Sequence, residues 1–178
     1  MIVLKTIDDE DVGWKNEYPI EKLKERKASR AVLIKRDMVA MLYVAKHEYH
    51  KLPGGGLEPG ENRGQALSRE VLEETGCEAR IIDEIGQINE VRREHGIRQT
   101  SYCYLAQVTK DTKAPTFTLE EAGQGFSLVW VPISKAIDLM EKDTPKNYEG
   151  AFIRKRDSLF LKMGLEKHMD GRSSQNKK

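Results

Sequence analysis

The stretch of sequence that decides the fold is residues 52–76, which read LPGGGLEPGENRGQALSREVLEETG. The glycines near its start interrupt regular structure, whereas the pattern from about Glu61 to Thr75 is helical and ends at Gly76, a typical C-terminal cap. At about 100° per residue, this helix carries three acidic side chains on one arc and apolar side chains on the opposite side. The acidic side chains are Glu70, Glu73 and Glu74. We therefore expect three carboxylates to converge beside a glycine-rich turn.

Clustered carboxylates of this kind need a partner. Like charges one helical turn apart repel each other by about a few tenths of a kcal/mol, and by more where the helix is partly buried. A hard divalent cation removes the repulsion, since Mg²⁺ prefers carboxylate oxygens and is commonly shared with substrate phosphates. Glycine lets a backbone approach such a phosphate closely. The pattern is compatible with magnesium-dependent phosphate chemistry, but the helix taken alone favours the alternative, a solvated helix face on which Arg69 and Glu73 form an ordinary i,i+4 pair.

The same segment resembles the Nudix box, which is a glycine, five residues, a glutamate, seven residues and then Arg-Glu-aliphatic-x-Glu-Glu-x-Gly-aliphatic. The fixed positions are occupied here by Gly55, Glu61, Arg69, Glu70, Val71, Glu73, Glu74, Gly76 and Cys77. The one departure is Cys77, a small apolar residue where a larger aliphatic one is usual. The resemblance to the Nudix hydrolase family (MutT-like) implies an α/β fold, namely an α/β/α sandwich in which a mixed β-sheet is flanked by helices.

The resemblance also implies roles for individual residues. The metal ligands would be Glu70, Glu73 and Glu74, with the backbone carbonyl of Gly54 as a further ligand. The ion would be Mg²⁺, for which Mn²⁺ can substitute. Arg69 would orient the glutamates through charge-assisted hydrogen bonds, with Glu61 as its partner. The implied reaction is attack of a metal-activated water on a phosphorus of a diphosphate.

Two roles, that of the general base and that of the residues that bind the remaining substrate phosphates, have several candidates each. The general base is either a box glutamate or one of the loop glutamates Glu120 and Glu121, which precede a Gly-Gln-Gly turn. The alternative for the loop pair is two exposed acids on a mobile loop. Three arginines are candidates for binding the remaining phosphates of the substrate, with a solvated loop as the alternative. These arginines are Arg92, Arg93 and Arg98.

The leading interpretation is a pyrophosphohydrolase that acts on nucleoside triphosphates or their deoxy forms. The alternatives are a nucleotide-sugar or dinucleotide pyrophosphatase, and a nucleotide-sensing Nudix domain without catalysis. Sensors of that kind often lose box glutamates, and all of these glutamates are present here. The expected partner is a small nucleotide-like substrate, and a homodimer is left open.

The composition of the chain is typical of one soluble domain. We expect a single Nudix hydrolase domain over residues 1–168, followed by a disordered polar tail over residues 169–178. The 30 basic and 29 acidic side chains nearly cancel, which gives no support to binding of nucleic acids or membranes. Cys77 and Cys103 are expected to be reduced. No apolar stretch is long enough for a signal peptide or a membrane span, so a cytoplasmic protein is expected.

Hydrophobic periodicity predicts the remaining elements. The predicted strands cover residues 31–34, 39–44, 80–88, 99–108 and 126–131, and the predicted helices cover residues 19–26, 61–75, 134–142 and 148–167. The first two strands should pair through a tight turn. In the strand over 99–108, Tyr102 and Tyr104 should face one side of the sheet, with Cys103 and Leu105 facing the other.

Overall fold

The protein is built around one mixed β-sheet, seen in a computed structural model that describes residues 1–15 and 22–175. The strands are β1 (Val3–Ile7), β2 (Lys24–Lys35), β3 (Met38–Val44), β4 (Tyr49–Lys51), β5 (Gly54–Gly56), β6 (Cys77–Arg92), β7 (Ile97–Asp111) and β8 (Phe126–Pro132). The sheet order is β1-β6-β7-β2-β3-β4, while β5 pairs with β2 and β8 pairs with β3. The β1–β6 and β2–β7 pairs are parallel and the other pairs are antiparallel.

Helices cover both faces of this sheet. They are α1 (Arg63–Thr75), α2 (Leu119–Gly123), α3 (Ile133–Lys142) and α4 (Tyr148–Gln175), together with a short 3₁₀ turn at Glu10–Val12. Leu67 of α1 packs in one buried cluster with Tyr102 and Tyr104. Phe152 of α4 packs in a second cluster that contains Cys103 and Leu105. The two faces of β7 therefore serve two cores, and the predicted α/β/α sandwich is confirmed.

Both ends of α1 are closed by local chemistry. Asn62 accepts a hydrogen bond from the backbone N–H of Gln65, whose side chain accepts one from the backbone N–H of Asn62, a capping box. At the other end Gly76 has φ 69°, and its N–H donates to the carbonyl of Leu72. A Cβ at Gly76 would lie 1.9 Å from the carbonyl oxygen of Lys113, so only glycine fits there. The boundaries of the acidic helix are thus set by its own sequence.

Two predictions about the chain ends need correction. Residues 19–21 of the predicted helix at 19–26 lie outside the described residues, and the rest of this prediction is wrong because 22 and 23 are not helical and 24–26 belong to β2 and pair with 97–99 of β7. The final helix was expected to end at Lys167, with disorder from residue 169, but α4 continues to Gln175. Ion pairs hold its last turns to the sheet, since Lys167 lies 2.6 Å from Asp83 and Arg172 lies 3.0 Å from Asp37. Polar composition alone did not reveal these long-range contacts.

A buried ionic cluster joins α4 to the sheet and to the glycine-rich loop. Glu90 of β6 lies 2.6 Å from Arg92 and 3.2 Å from Arg156 of α4. Arg156 in turn lies 2.6 Å from Asp157, whose other oxygen accepts a 2.8 Å hydrogen bond from the backbone N–H of Leu52. Burial alone would raise the pKa of Glu90, but Arg156 and Arg92 outweigh it and hold that pKa at about 2. The contribution of ionised Glu90 to stability is complete above about pH 4.5 and is lost as the pH falls toward 2.

We predict that Glu90→Ala lowers the free energy of unfolding by about 3–5 kcal/mol at neutral pH, because it leaves two buried arginines without their shared carboxylate. The measurement is urea-induced unfolding followed by circular dichroism. Glu78→Ala, which removes an exposed carboxylate from the same strand, serves as the control and should change stability by less than about 0.5 kcal/mol. Equal effects of the two substitutions would contradict a structural role for the cluster.

Candidate active site

The guanidinium group of Arg69 on α1 links the helix to the preceding loop. Its Nε lies 2.8 Å from Oε1 of Glu61 and its Nη2 lies 3.0 Å from Oε2, so the two groups pair through two hydrogen bonds. Nη2 also donates to the carbonyl of Gly56 at 3.0 Å. Nη1 donates to Glu70 at 2.9 Å and to Glu73 at 3.2 Å. The hydrogen bonds from Arg69 hold the pKa of Glu61 at about 2, so this partner stays ionised.

Glu70 lies directly against the glycine-rich loop. A Cβ at Gly55 would lie 2.1 Å from Oε1 of Glu70, so any other residue there would displace the carboxylate. The side chain of Glu70 is 13% exposed, whereas that of Glu73 is 45% exposed. Nη1 of Arg69 therefore donates to two carboxylates: that of Glu70, which is nearly buried, and that of Glu73, which is accessible to solvent.

Glu74 is the most enclosed of the three box glutamates, with 3% of its side chain exposed. Its Oε2 accepts a 2.6 Å hydrogen bond from the backbone N–H of Gly54, and its Oε1 accepts a 2.8 Å bond from Nζ of Lys51. Burial raises the pKa of Glu74, although Lys51 and Gly54 oppose that shift. Nζ of Lys51 also lies 4.9 Å from the ring centre of Phe126, a cation–π distance. Lys51 is a site residue that we did not predict from the sequence.

One cavity of about 250 Å³ joins these groups. From the box it is lined by Gly54, Gly55, Glu70 and Glu74. Four cationic side chains that the box does not include also line it, and these are Arg26, Arg30, Lys51 and Arg92. The short helix α2 contributes Glu120 and Glu121 to the same lining. The cavity thus places carboxylates and cations around a single small space.

The two loop glutamates differ in their hydrogen bonds. Glu121 accepts hydrogen bonds from the backbone N–H of Thr118 at 2.8 Å and from its hydroxyl at 2.9 Å, which closes a capping box on α2. Glu120 has only a 3.4 Å contact with the side chain of Gln124. Glu120 is therefore the freer of the two carboxylates.

The three predicted phosphate-binding arginines are all paired with acids. Arg92 lines the cavity, but its guanidinium lies 2.6 Å from Glu90 and 3.2 Å from Glu149. Arg93 lies 3.6 Å from Asp9, and Arg98 lies 3.4 Å from Glu25 on the surface. Neither Arg93 nor Arg98 lines the cavity. The geometry thus favours other cations for substrate binding.

The carboxylates do not form a closed metal cage on their own. Within residues 1–15 and 22–175, no three His, Cys, Asp or Glu side chains are arranged to hold a metal ion. The reason is visible in the contacts, because Lys51 holds one oxygen of Glu74 and Arg69 holds one oxygen of Glu70. The donors are nevertheless carboxylate oxygens next to a glycine backbone, which is the ligand chemistry that Mg²⁺ prefers. The residues therefore fit a divalent cation that would replace Lys51 as the partner of Glu74.

Comparison with known proteins agrees with this geometry. A family model described as the NUDIX domain matches residues 23–151. No match to the sequence is found among curated proteins. In the described part of the chain, no helix has the length and apolar character needed to cross a membrane.

Several solved structures share the fold. A NUDIX hydrolase from Nitrosomonas europaea has a TM-score of 0.54 at 21% identity, over 75% of this chain and 89% of that one. A MutT NUDIX hydrolase from Burkholderia pseudomallei has a TM-score of 0.55 at 16% identity, over 79% and 98%. An ADP-ribose pyrophosphatase from Streptococcus suis 89-1591 has a TM-score of 0.53 at 17% identity, over 80% and 91%. With every charged residue and glycine of the box present and a family match over most of its length, the chain belongs to the NUDIX family.

Proposed function

We propose that this protein uses Mg²⁺ to cleave the diphosphate linkage of a nucleoside-diphosphate derivative, with (deoxy)nucleoside triphosphates as the leading substrate class. The observation that carries the proposal is a cavity lined by four cationic side chains and by Glu70 and Glu74, which lie against the consecutive glycines Gly55 and Gly54. Carboxylates by themselves would repel a diphosphate, so both a metal ion and the protein cations are needed to hold it there.

The box residues would hold the ion. Glu70 and Glu74 are its proposed ligands, with Glu73 and the carbonyl of Gly54 as further candidates. When bound, Mg²⁺ supplies a Lewis acid that lowers the pKa of a water molecule and stabilises charge on the phosphates. Arg69 acts as a positioning residue, because it contacts the glutamates rather than the cavity. An Arg69→Lys substitution would keep the positive charge but lose the planar, forked arrangement of guanidinium N–H donors.

Glu120 is the proposed general base. It lines the same cavity as Glu70 and Glu74, and its carboxylate is free of the capping bonds that occupy Glu121. A base must reach the attacking water within hydrogen-bond distance, and the presence of Glu120 in the lining of the same cavity as the box glutamates supports this role.

The preference for triphosphates rests on charge. Arg26, Arg30 and Lys51 line the cavity together, which suits a substrate that brings several phosphate charges. An ADP-ribose pyrophosphatase is among the structural neighbours, so a nucleotide sugar is the second candidate. Both substrate classes contain the same scissile linkage.

We predict that Glu70→Gln lowers kcat/KM by at least about 100-fold, because an amide cannot replace an anionic metal ligand. The assay is chromatographic separation of the nucleotide products formed from a panel of nucleoside triphosphates, nucleotide sugars and dinucleotides, with Mg²⁺ and with EDTA. Glu78→Gln, an exposed change outside the cavity, is the control. Turnover by the wild type that persists in EDTA, or an unimpaired Glu70→Gln enzyme, would refute the proposed metal chemistry.

We also predict different effects for the two loop glutamates. Glu120→Gln should lower kcat by about 100-fold or more, as expected for loss of a general base. Glu121→Gln should lower it by less than about tenfold, because glutamine also closes a capping box. Steady-state kinetics and the pH dependence of kcat distinguish the two variants. If both variants retain wild-type kcat, the base is a box glutamate instead.

A further inference from the structure

The cavity contains a buried cation whose guanidinium has two nitrogens without a hydrogen-bond partner among the described residues. Arg30 of β2 is 5% exposed and lines the cavity. Its Nε and Nη1 are both buried and have no hydrogen-bond partner among the described residues. Arg30 also lies opposite Gly54 in the β2–β5 pairing, so its backbone adjoins the glycine that contacts Glu74.

The other buried cations near the cavity are paired. Lys51 lies 2.8 Å from Glu74, Arg92 lies 2.6 Å from Glu90, and Arg156 lies 2.6 Å from Asp157. The carboxylates of Glu74, Glu90 and Asp157 are thus bonded to other cations. No carboxylate is hydrogen-bonded to Nε or Nη1 of Arg30. Burial lowers the pKa of Arg30 to about 10, the charge of Arg156 adds to that shift, and the nearby charges of Asp157 and Glu74 oppose it without bonding to Nε or Nη1. At neutral pH the side chain is still a cation, and an unpaired buried cation is unfavourable.

A second cation extends the same surface. Arg26 lies four residues before Arg30 on β2, and alternation places both side chains on one face of the strand. A Cβ at Gly56 would lie 3.4 Å from Nη2 of Arg26, so this guanidinium lies over the glycine-rich loop. The two arginines therefore flank the loop on the side that faces the cavity.

We propose that Arg30, assisted by Arg26, is the phosphate-binding subsite of this cavity and that a phosphate group of the substrate accepts hydrogen bonds from the unpartnered Nε and Nη1 of Arg30. The inference deepens the proposed function, on which it rests for the identity of the substrate as a diphosphate compound. It replaces Arg92, Arg93 and Arg98, which already have acidic partners, as the residues that recognise phosphate. Arg30 binds and orients the substrate, and it takes no part in proton transfer.

The role of Arg30 as a ligand-binding residue has a consequence for stability. A residue kept for packing destabilises the protein when it is replaced, whereas removal of an unpaired buried charge by an apolar side chain of similar length is neutral or stabilising. Arg30→Met should therefore leave the thermal unfolding midpoint of the free protein equal to or above that of the wild type. The same substitution should weaken the binding of phosphate groups.

The test is calorimetric titration of inorganic pyrophosphate into the full chain, once in metal-free buffer and once with Mg²⁺. We expect Arg30→Met to weaken binding by about 10- to 100-fold, the worth of a hydrogen bond to a charged group. Arg30→Lys keeps the charge but not the guanidinium donors, and it should weaken binding by an intermediate factor. Arg80→Met is the matched control, since it removes an exposed arginine outside the cavity.

The outcomes separate this inference from the proposed hydrolysis. Pyrophosphate binding that depends on Arg30, in a protein that turns over no compound of the panel, would support the subsite and refute the hydrolysis. Hydrolysis with the same KM and the same pyrophosphate affinity in wild type and Arg30→Met would refute the subsite and leave the hydrolysis standing. Absence of pyrophosphate binding to the wild type in both buffers would also overturn the subsite.

Discussion

The guanidinium group of Arg69 holds the glycine-rich loop and the acidic helix in one geometry. It bonds both oxygens of Glu61, the carbonyl of Gly56, and the carboxylates of Glu70 and Glu73. Without this cation the carboxylates would repel one another, and the loop would lose its strongest link to α1. The catalytic proposal therefore depends on a residue that need not contact the substrate.

Close approach of backbone to side chain is the second constraint. Gly55 leaves the space that the carboxylate of Glu70 occupies, and Gly54 donates its N–H to Glu74. Leu52, just before these glycines, is anchored from the other side of the molecule by Asp157 of α4. The local loop geometry thus depends on a helix that begins almost a hundred residues later in the chain. The cavity combines this local motif with charges that only tertiary packing brings near it.

The parts of the structure predicted from the sequence are those set by local pattern. The periodicity of 61–75 and its glycine stop identified α1, and alternation in 99–108 identified the two faces of β7. The strand ends were less well placed, because pairing between β6 and β7 extends both strands beyond their apolar segments. Lys51 and Arg30 were not predicted from the sequence, because their proposed roles depend on which charged side chains are paired in the folded protein. That property depends on tertiary contacts, such as the pairing of Lys51 of β4 with Glu74 of α1, and sequence spacing does not reveal it.

The central claim is that the fork of donors on Arg69 arranges the box glutamates for a divalent cation. The most direct test is titration of Mn²⁺, followed by electron paramagnetic resonance, into the wild type and Arg69→Lys. The lysine variant keeps the charge, so a change in affinity reports the geometry of the carboxylates. We expect the wild type to bind Mn²⁺ and the variant to bind it about 10- to 100-fold more weakly. Equal affinity in the two proteins, or no binding to the wild type, would contradict the claim.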